Sequence, residues 1–184
     1  MKILLFAGSL RSASLNKKVV RLTDKILKNN PEVESIVVDL QPLQIPVYDG
    51  DIEAIGIPQG VQVLAAHIAA CDAIIISSPE YNGSMSSPLK NTIDWISRVK
   101  PMPLAGKPVL MLGASPGAFG ATHGLAHARQ PLENLGNFLY PQSMGFMHAD
   151  SAFEENGDLK DPALSEKLTK LLNTFLAYSK KLKS

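Results

Sequence analysis

The chain alternates between continuous apolar runs and stretches whose apolar residues recur every three or four positions. Ile3-Leu4-Leu5-Phe6-Ala7 is unbroken, the pattern of a strand covered on both faces. Asn16 to Lys28 places Val19, Val20, Leu22, Ile26 and Leu27 at roughly the helical period, and Asn29-Asn30-Pro31 stops it. Ser35 to Leu40 reads as a second strand, Gly60 to Ala70 as a helix, and Ala73 to Ser77 as a third strand of almost pure isoleucine. Pro88 opens a helix through Arg98 in the first-turn role that proline favours. Lys107 to Gly113 is a fourth strand, and Thr122 to Gly136 a helix that Pro131 would kink or shorten. Asn137 to Phe146 holds a fifth strand, and Pro162 to Lys183 a closing helix with Leu164, Leu168, Leu171, Phe175 and Leu182 mainly on one side. Gln41 to Gly60, carrying Pro42, Pro46 and Pro58, fits neither period; so long a connection is often functional or interfacial.

Strands alternating with helices imply parallel strands joined by crossovers. Five such units predict an α/β fold: a doubly wound, five-stranded parallel sheet in a three-layer α/β/α sandwich, as one domain over 1–184. With 45% hydrophobic residues the chain has ample material for a core. Its 18 basic and 17 acidic residues leave a formal charge of +1, too little to drive binding to a nucleic-acid backbone. Lys180, Lys181 and Lys183 read as the solvated end of the last helix. No apolar run is long enough to cross a bilayer, and the opening one is too short for a secretory leader. The single Cys71, read as a small buried residue, fits a reducing compartment. The expectation is a cytoplasmic protein with no nucleic-acid or membrane partner.

In an open parallel sheet ligands bind beyond the carboxyl ends of the strands. Three polar, glycine-containing loops leave strand ends here. In Gly8-Ser-Leu-Arg-Ser-Ala-Ser-Leu-Asn16, Gly8 permits a sharp turn, and Ser9, Ser12 and Ser14 offer hydroxyls. Arg11 offers a planar fork for phosphate oxygens, and the following helix N-terminus attracts an anion. These devices point to a terminal phosphate; the alternative is a serine-rich turn with Asn16 as N-cap. The segment matches neither the dinucleotide fingerprint nor the P-loop.

In the second loop, Ser78 to Ser87, Pro79 and Gly83 shape a turn with Tyr81 and Asn82 at its tip. Such a loop can present its backbone and Tyr81 to a flat heteroaromatic ring. Glu80 would repel a phosphate, so a place at the ring edge or in a subunit contact suits it better. The alternative is an ordinary turn capped by Ser87. The third loop contains Gly113-Ala-Ser-Pro-Gly117, the G-x-S-x-G pattern of a hydrolase nucleophile elbow. Pro116, however, has no N–H to give an oxyanion hole, and the order of acid and histidine is poor, so a serine esterase ranks far behind a third wall of a cofactor cleft. His123 and His127 stand four apart as could metal ligands, but no further ligand series accompanies them, and no metal is expected. Trp95 reads as a packing residue.

Together these loops resemble the NADPH-dependent FMN reductase family, which includes quinone, chromate and azo-dye reductases of flavodoxin-like fold. The resemblance runs from Lys2 to about Gly145. It implies FMN as cofactor and NADPH, or NADH, as co-substrate, with a ping-pong transfer to a small-molecule electron acceptor. It also implies that Ser9, Arg11, Ser14, Asn16 and the backbone at Leu15 hold the phosphate. Pro79, Glu80, Tyr81 and Asn82 would border the ring, and Ser115 would approach from the third loop. No catalytic side chain is named, because the flavin carries the chemistry. The family implies a homodimer or homotetramer, with Gln41 to Gly60 in the contact. The serine-rich run Ser84 to Ser87 departs from the family's usual loop. The rival reading is a flavodoxin-like electron carrier that does not oxidise nicotinamide itself, although this near-neutral chain has no charge for the acidic docking face such carriers use.

Overall fold

Every strand of the central sheet runs parallel to its neighbour, in a computed structural model that describes residues 1–183. The elements in chain order are β1 (Lys2–Ala7), α1 (Leu15–Leu27), β2 (Glu34–Val38), α2 (Gly50–Ile55), α3 (Gln59–Ala70), β3 (Ala73–Ser77), β4 (Glu80–Tyr81), β5 (Ser84–Met85), α4 (Ser87–Ile96), β6 (Pro108–Ala114), α5 (Thr122–Asn134), β7 (Phe138–Leu139), β8 (Met144–Phe146) and α6 (Pro162–Lys181). The strand order β2-β1-β3-β6, with β7 and β8 both on the far edge of β6, is the flavodoxin-like doubly wound order.

Alternation along the strands builds the three layers. Ile3, Leu5, Ile75, Leu110 and Leu112 face α1 and α6, where Val19, Val20, Leu168, Leu172 and Phe175 complete one core. Leu4, Phe6, Ile74, Ile76, Val109 and Met111 face the other way, onto Leu64 and Ile68 of α3, Ile93 and Trp95 of α4 and Leu125 and Leu132 of α5. Both faces are apolar because both are covered, which is why these strands read as continuous runs rather than as alternating ones.

The predicted fifth strand is two short ones. The ladder beside β6 runs to Tyr140, whose N–H donates to the Val109 carbonyl at 2.8 Å, and then meets Pro141, which has no N–H to give. Pairing resumes with Met144 opposite Leu112, two residues out of step with Leu139 opposite Val109. Pro131 lies inside α5 without breaking it, but only one further turn follows.

The proline-broken stretch from Gln41 to Gly60 contains the short helix α2 and is clamped onto α4. The Pro46 carbonyl accepts from Asn91 Nδ2 and from Trp95 Nε1, both at 2.8 Å, and Tyr48 N–H donates to Asn91 Oδ1 at 2.8 Å. Tyr48 stands edge-on to the buried Trp95, with ring centroids 5.0 Å apart. The packing role expected for Trp95 therefore includes a hydrogen bond through its indole. Val47 and Ile55 of the same stretch are 82% and 91% exposed.

At the chain's end the lysines are not simply solvated. Lys180 pairs with Glu32 at 2.6 Å, and Lys183 pairs with Asp72. Among the described residues no helix is long and apolar enough to cross a membrane.

Candidate functional site

The strand order reverses between β1 and β3, and the loops after β1, β3 and β6 converge there. Gly8 turns the chain off β1 with its N–H on the Ser77 carbonyl at 2.8 Å. A Cβ at Gly8 would lie 2.9 Å from Leu89 Cβ, so no larger residue fits without movement. Ser86 Oγ donates to the Gly8 carbonyl at 2.5 Å and accepts from Leu89 N–H, so it both pins the first loop and caps α4. The cap expected at Ser87 is thus one residue earlier.

Ser14, not Asn16, is the N-cap of α1; its Oγ accepts from Lys17 N–H at 3.3 Å. The N–H groups of Leu15 and Asn16, the first two of the helix, have no partner among the described residues. Neither does the hydroxyl of Ser9, although that residue is 3% exposed, nor the guanidinium of the exposed Arg11. Open amides, an open hydroxyl and a free cation at one helix start form a ready anion site.

The Asn16 side chain is spent elsewhere. Its Nδ2 donates to the Ala114 carbonyl at 3.0 Å, and its Oδ1 accepts from Ala114 N–H at 2.9 Å and from Ser77 Oγ at 2.8 Å. The last residue pair of β3 and β6 is Ser77 with Leu112, so Ala114 extends beyond the strand it would pair with. The buried amide takes that strand's place and ties the first and third loops together. Only the backbone of Asn16 is left to meet a ligand.

The second loop is a hairpin. Glu80 pairs with Met85 and Tyr81 with Ser84, around Asn82 and Gly83 at φ 51° and 71°, the two left-handed corners of a type I′ turn. Glu80 turns its carboxylate onto α5: Oε2 accepts from Gly124 N–H at 3.0 Å, and Oε1 lies 3.3 Å from His123 Nδ1. The Gly124 N–H holds this carboxyl below the usual glutamate range, with His123 adding to the effect against a partial desolvation. His127 Nδ1 lies 3.2 Å from Ser84 Oγ, so both histidines of α5 face the hairpin.

In the third loop Ser115 Oγ accepts from Gly117 N–H at 3.1 Å, closing a local turn. Ser115 is not among the residues with left-handed backbone, and no histidine among the described residues bonds its hydroxyl, so the strained geometry of a nucleophile elbow is missing. Ala149 N–H donates to the Ser115 carbonyl at 3.1 Å, which fastens this loop to the segment after β8.

One cleft is lined by Ser9, Arg11, Ser14, Leu15, Asn16, Pro79, Glu80, Tyr81 and Ser115, together with Ala114 and Pro116. Of the predicted site residues only Asn82 lies outside its lining, at the hairpin tip.

The comparisons with known proteins agree with this architecture. Residues 1–150 match the NADPH-dependent FMN reductase family. The chain belongs to that family. An NAD(P)H-dependent FMN reductase of Pseudomonas aeruginosa is 34% identical over all of this chain and 97% of its own. A quinone reductase of Escherichia coli is 35% identical with the same coverage. A solved Paracoccus denitrificans flavoenzyme, an NAD(P)H:(acceptor) oxidoreductase, superposes with a TM-score of 0.84 at 29% identity, over 98% of this chain and 97% of that one. The protein is accordingly an oxidoreductase whose flavin is FMN and whose reductant is a nicotinamide nucleotide.

The cleft of this FMN reductase fits that cofactor at its phosphate end: the unpaired amides, hydroxyl and guanidinium are the donors a phosphate dianion requires. The enclosed part measures about 80 Å³, against roughly 300 Å³ or more for a pocket that surrounds a small ligand. A space of that size can enclose one end of FMN, and the rim beside it carries the half-exposed Tyr81. Sequence reasoning missed Ser86, Ser77 and Gly124, which clamp the loops. Gly124 carried a signal, since a glycine inside a helix often marks a close backbone approach. A Cβ there would lie 2.9 Å from the Ser84 carbonyl oxygen.

Proposed function

We propose that this protein seats FMN in the cleft between the three loops and passes reducing equivalents from NADPH or NADH to quinones, azo compounds, chromate or free flavin by a ping-pong mechanism. The reading rests on one observation above the others: among the described residues the N–H groups of Leu15 and Asn16, and the guanidinium of Arg11 beside them, have no partner. Ser9, Arg11, Ser14 and the backbone of Leu15 and Asn16 hold the phosphate. Pro79, Glu80 and Tyr81 border the ring, Asn82 shapes the hairpin tip, and Ser115 forms the opposite wall. When bound, FMN takes two reducing equivalents from the nicotinamide nucleotide and hands them to the second substrate. The protein's part is to hold the ring edge while leaving one side open, so that the two substrates can use it in turn. The Escherichia coli relative is named for quinones, and a planar acceptor suits an open rim.

An absorption spectrum of the protein with FMN, taken before and after anaerobic NADPH, is the direct test. Prompt bleaching is expected, with parallel double-reciprocal lines when NADPH and a benzoquinone are varied. Converging lines would overturn the ping-pong order. Binding without bleaching by either nucleotide would favour an electron carrier.

The assembly is a homodimer or homotetramer, in which a second copy covers Val47 and Ile55. Light scattering should give a multiple of 19.8 kDa, and a monomer at micromolar concentration would remove this part of the reading. The setting is cytoplasmic, a reducing compartment that a single cysteine fits. That cysteine, Cys71, is buried; its thiol donates to the Ile68 carbonyl at 3.1 Å, and burial pushes its pKa up.

A further inference from the structure

Helix α5 begins without a cap of its own. The residue before it, Ala121, has φ 68° and no side chain that can accept a hydrogen bond, and the first turn contains no acidic residue. The N–H of Gly124, in that first turn, is instead taken by the Glu80 carboxylate from the hairpin, 44 residues away. The absence of a side chain at Gly124 permits the approach, since a Cβ there would lie 3.2 Å from both Cα and Cβ of Glu80. Both carboxylate oxygens are occupied, one by Gly124 and one by His123, and the group is only 17% exposed. An anion is favoured at a helix N-terminus by its dipole and open amides.

The hairpin needs this anchor. β4 and β5 form a separate two-stranded ribbon of two residues each, outside the main sheet, and such a ribbon is at best marginally stable alone. α5 is what it packs against. Pro79, Glu80 and Tyr81 together form this wall of the cleft.

We propose that Glu80 is a positioning residue: its carboxylate caps α5 across the fold and so fixes the Pro79–Tyr81 wall, leaving only the rest of the residue to border the flavin. This inference rests on the reading that this wall borders the FMN ring. His123 is an accessory partner to the lock, with its Nδ1 3.3 Å from Glu80 against 3.0 Å for the Gly124 N–H.

The test compares Glu80→Ala with Glu80→Gln in the full chain mixed with FMN. Three quantities are followed: amide exchange of the peptide covering residues 119–126, FMN affinity, and the visible spectrum of the bound flavin. In Glu80→Ala, exchange at the start of α5 should speed up about tenfold or more. FMN binding should weaken several-fold, and the flavin bands should move toward those of free FMN. Glu80→Gln should recover most of all three, because its amide oxygen can still accept from Gly124. Unchanged α5 exchange in Glu80→Ala would overturn the cap. A Glu80→Gln protein with normal exchange but the flavin defects of Glu80→Ala would overturn it too, since the charge would then act on the ligand directly. Glu80→Asp keeps the charge but loses the reach; it should behave as Glu80→Ala does, and supplies the comparison if that variant does not fold. If the wild-type protein bound no FMN, the reading of the cleft would fail, while the exchange measurements would still decide the cap.

Discussion

Replacing Arg11 with alanine is expected to weaken FMN binding by roughly ten- to a hundredfold while leaving thermal stability almost unchanged. The guanidinium is exposed and has no partner among the described residues, so its removal breaks nothing in the fold. Its loss removes charge-assisted hydrogen bonds to a phosphate, about 1.5–3 kcal/mol, which is the stated range of affinity. Arg11→Lys should fall between, because an ammonium keeps the charge but not the planar fork that meets two oxygens at once. Riboflavin supplies the control, since it carries the same ring without the phosphate. Its affinity should be the same in wild type and Arg11→Ala. Titrations that follow flavin fluorescence measure both ligands. Equal FMN affinity in the two proteins would remove Arg11 from the phosphate site, and a parallel loss of riboflavin would show that the substitution had disturbed the ring wall.

The layers were legible in the sequence because burial on both faces leaves an unmistakable mark: Ile3 to Ala7 and Ala73 to Ser77 had no other reading, and both are fully buried strands. Boundaries set by a single hydrogen bond were less so. Ser14 and Asn16 are both good cap residues, and spacing alone did not reveal that the second is needed to complete the end of β6. Asn82-Gly83 is a strong hairpin signal, yet its flanking strands are two residues long, too short for any alternation to show. Most of the cleft was legible because its residues sit in three loops that the topology must bring together. The devices that hold those loops in register were not, for each joins positions far apart in the chain: Ser86 to Gly8, Glu80 to Gly124 and Asn16 to Ala114.

That last clamp is the one whose loss should be felt throughout the molecule. Asn16→Ala is expected to cost about 3 kcal/mol of stability, because it leaves the buried N–H and carbonyl of Ala114 without partners, at ~1–3 kcal/mol each. For a chain of this length that corresponds to a fall of roughly 6–12 °C in melting temperature. Asn16→Asp should be worse at neutral pH. It removes the only donor to the Ala114 carbonyl among the described residues and places a charge against that oxygen at a site 2% exposed. Flavin binding should decline in a way unlike that of Arg11→Ala. Losing Asn16 releases the third loop from the start of α1, so the walls of the cleft part and FMN and riboflavin weaken together. The two variants thus separate a residue that grips the ligand from one that holds the cleft in shape. A melting temperature in Asn16→Ala within 2 °C of wild type would mean that Ala114 finds other partners, and that the buried amide is not what joins the two loops.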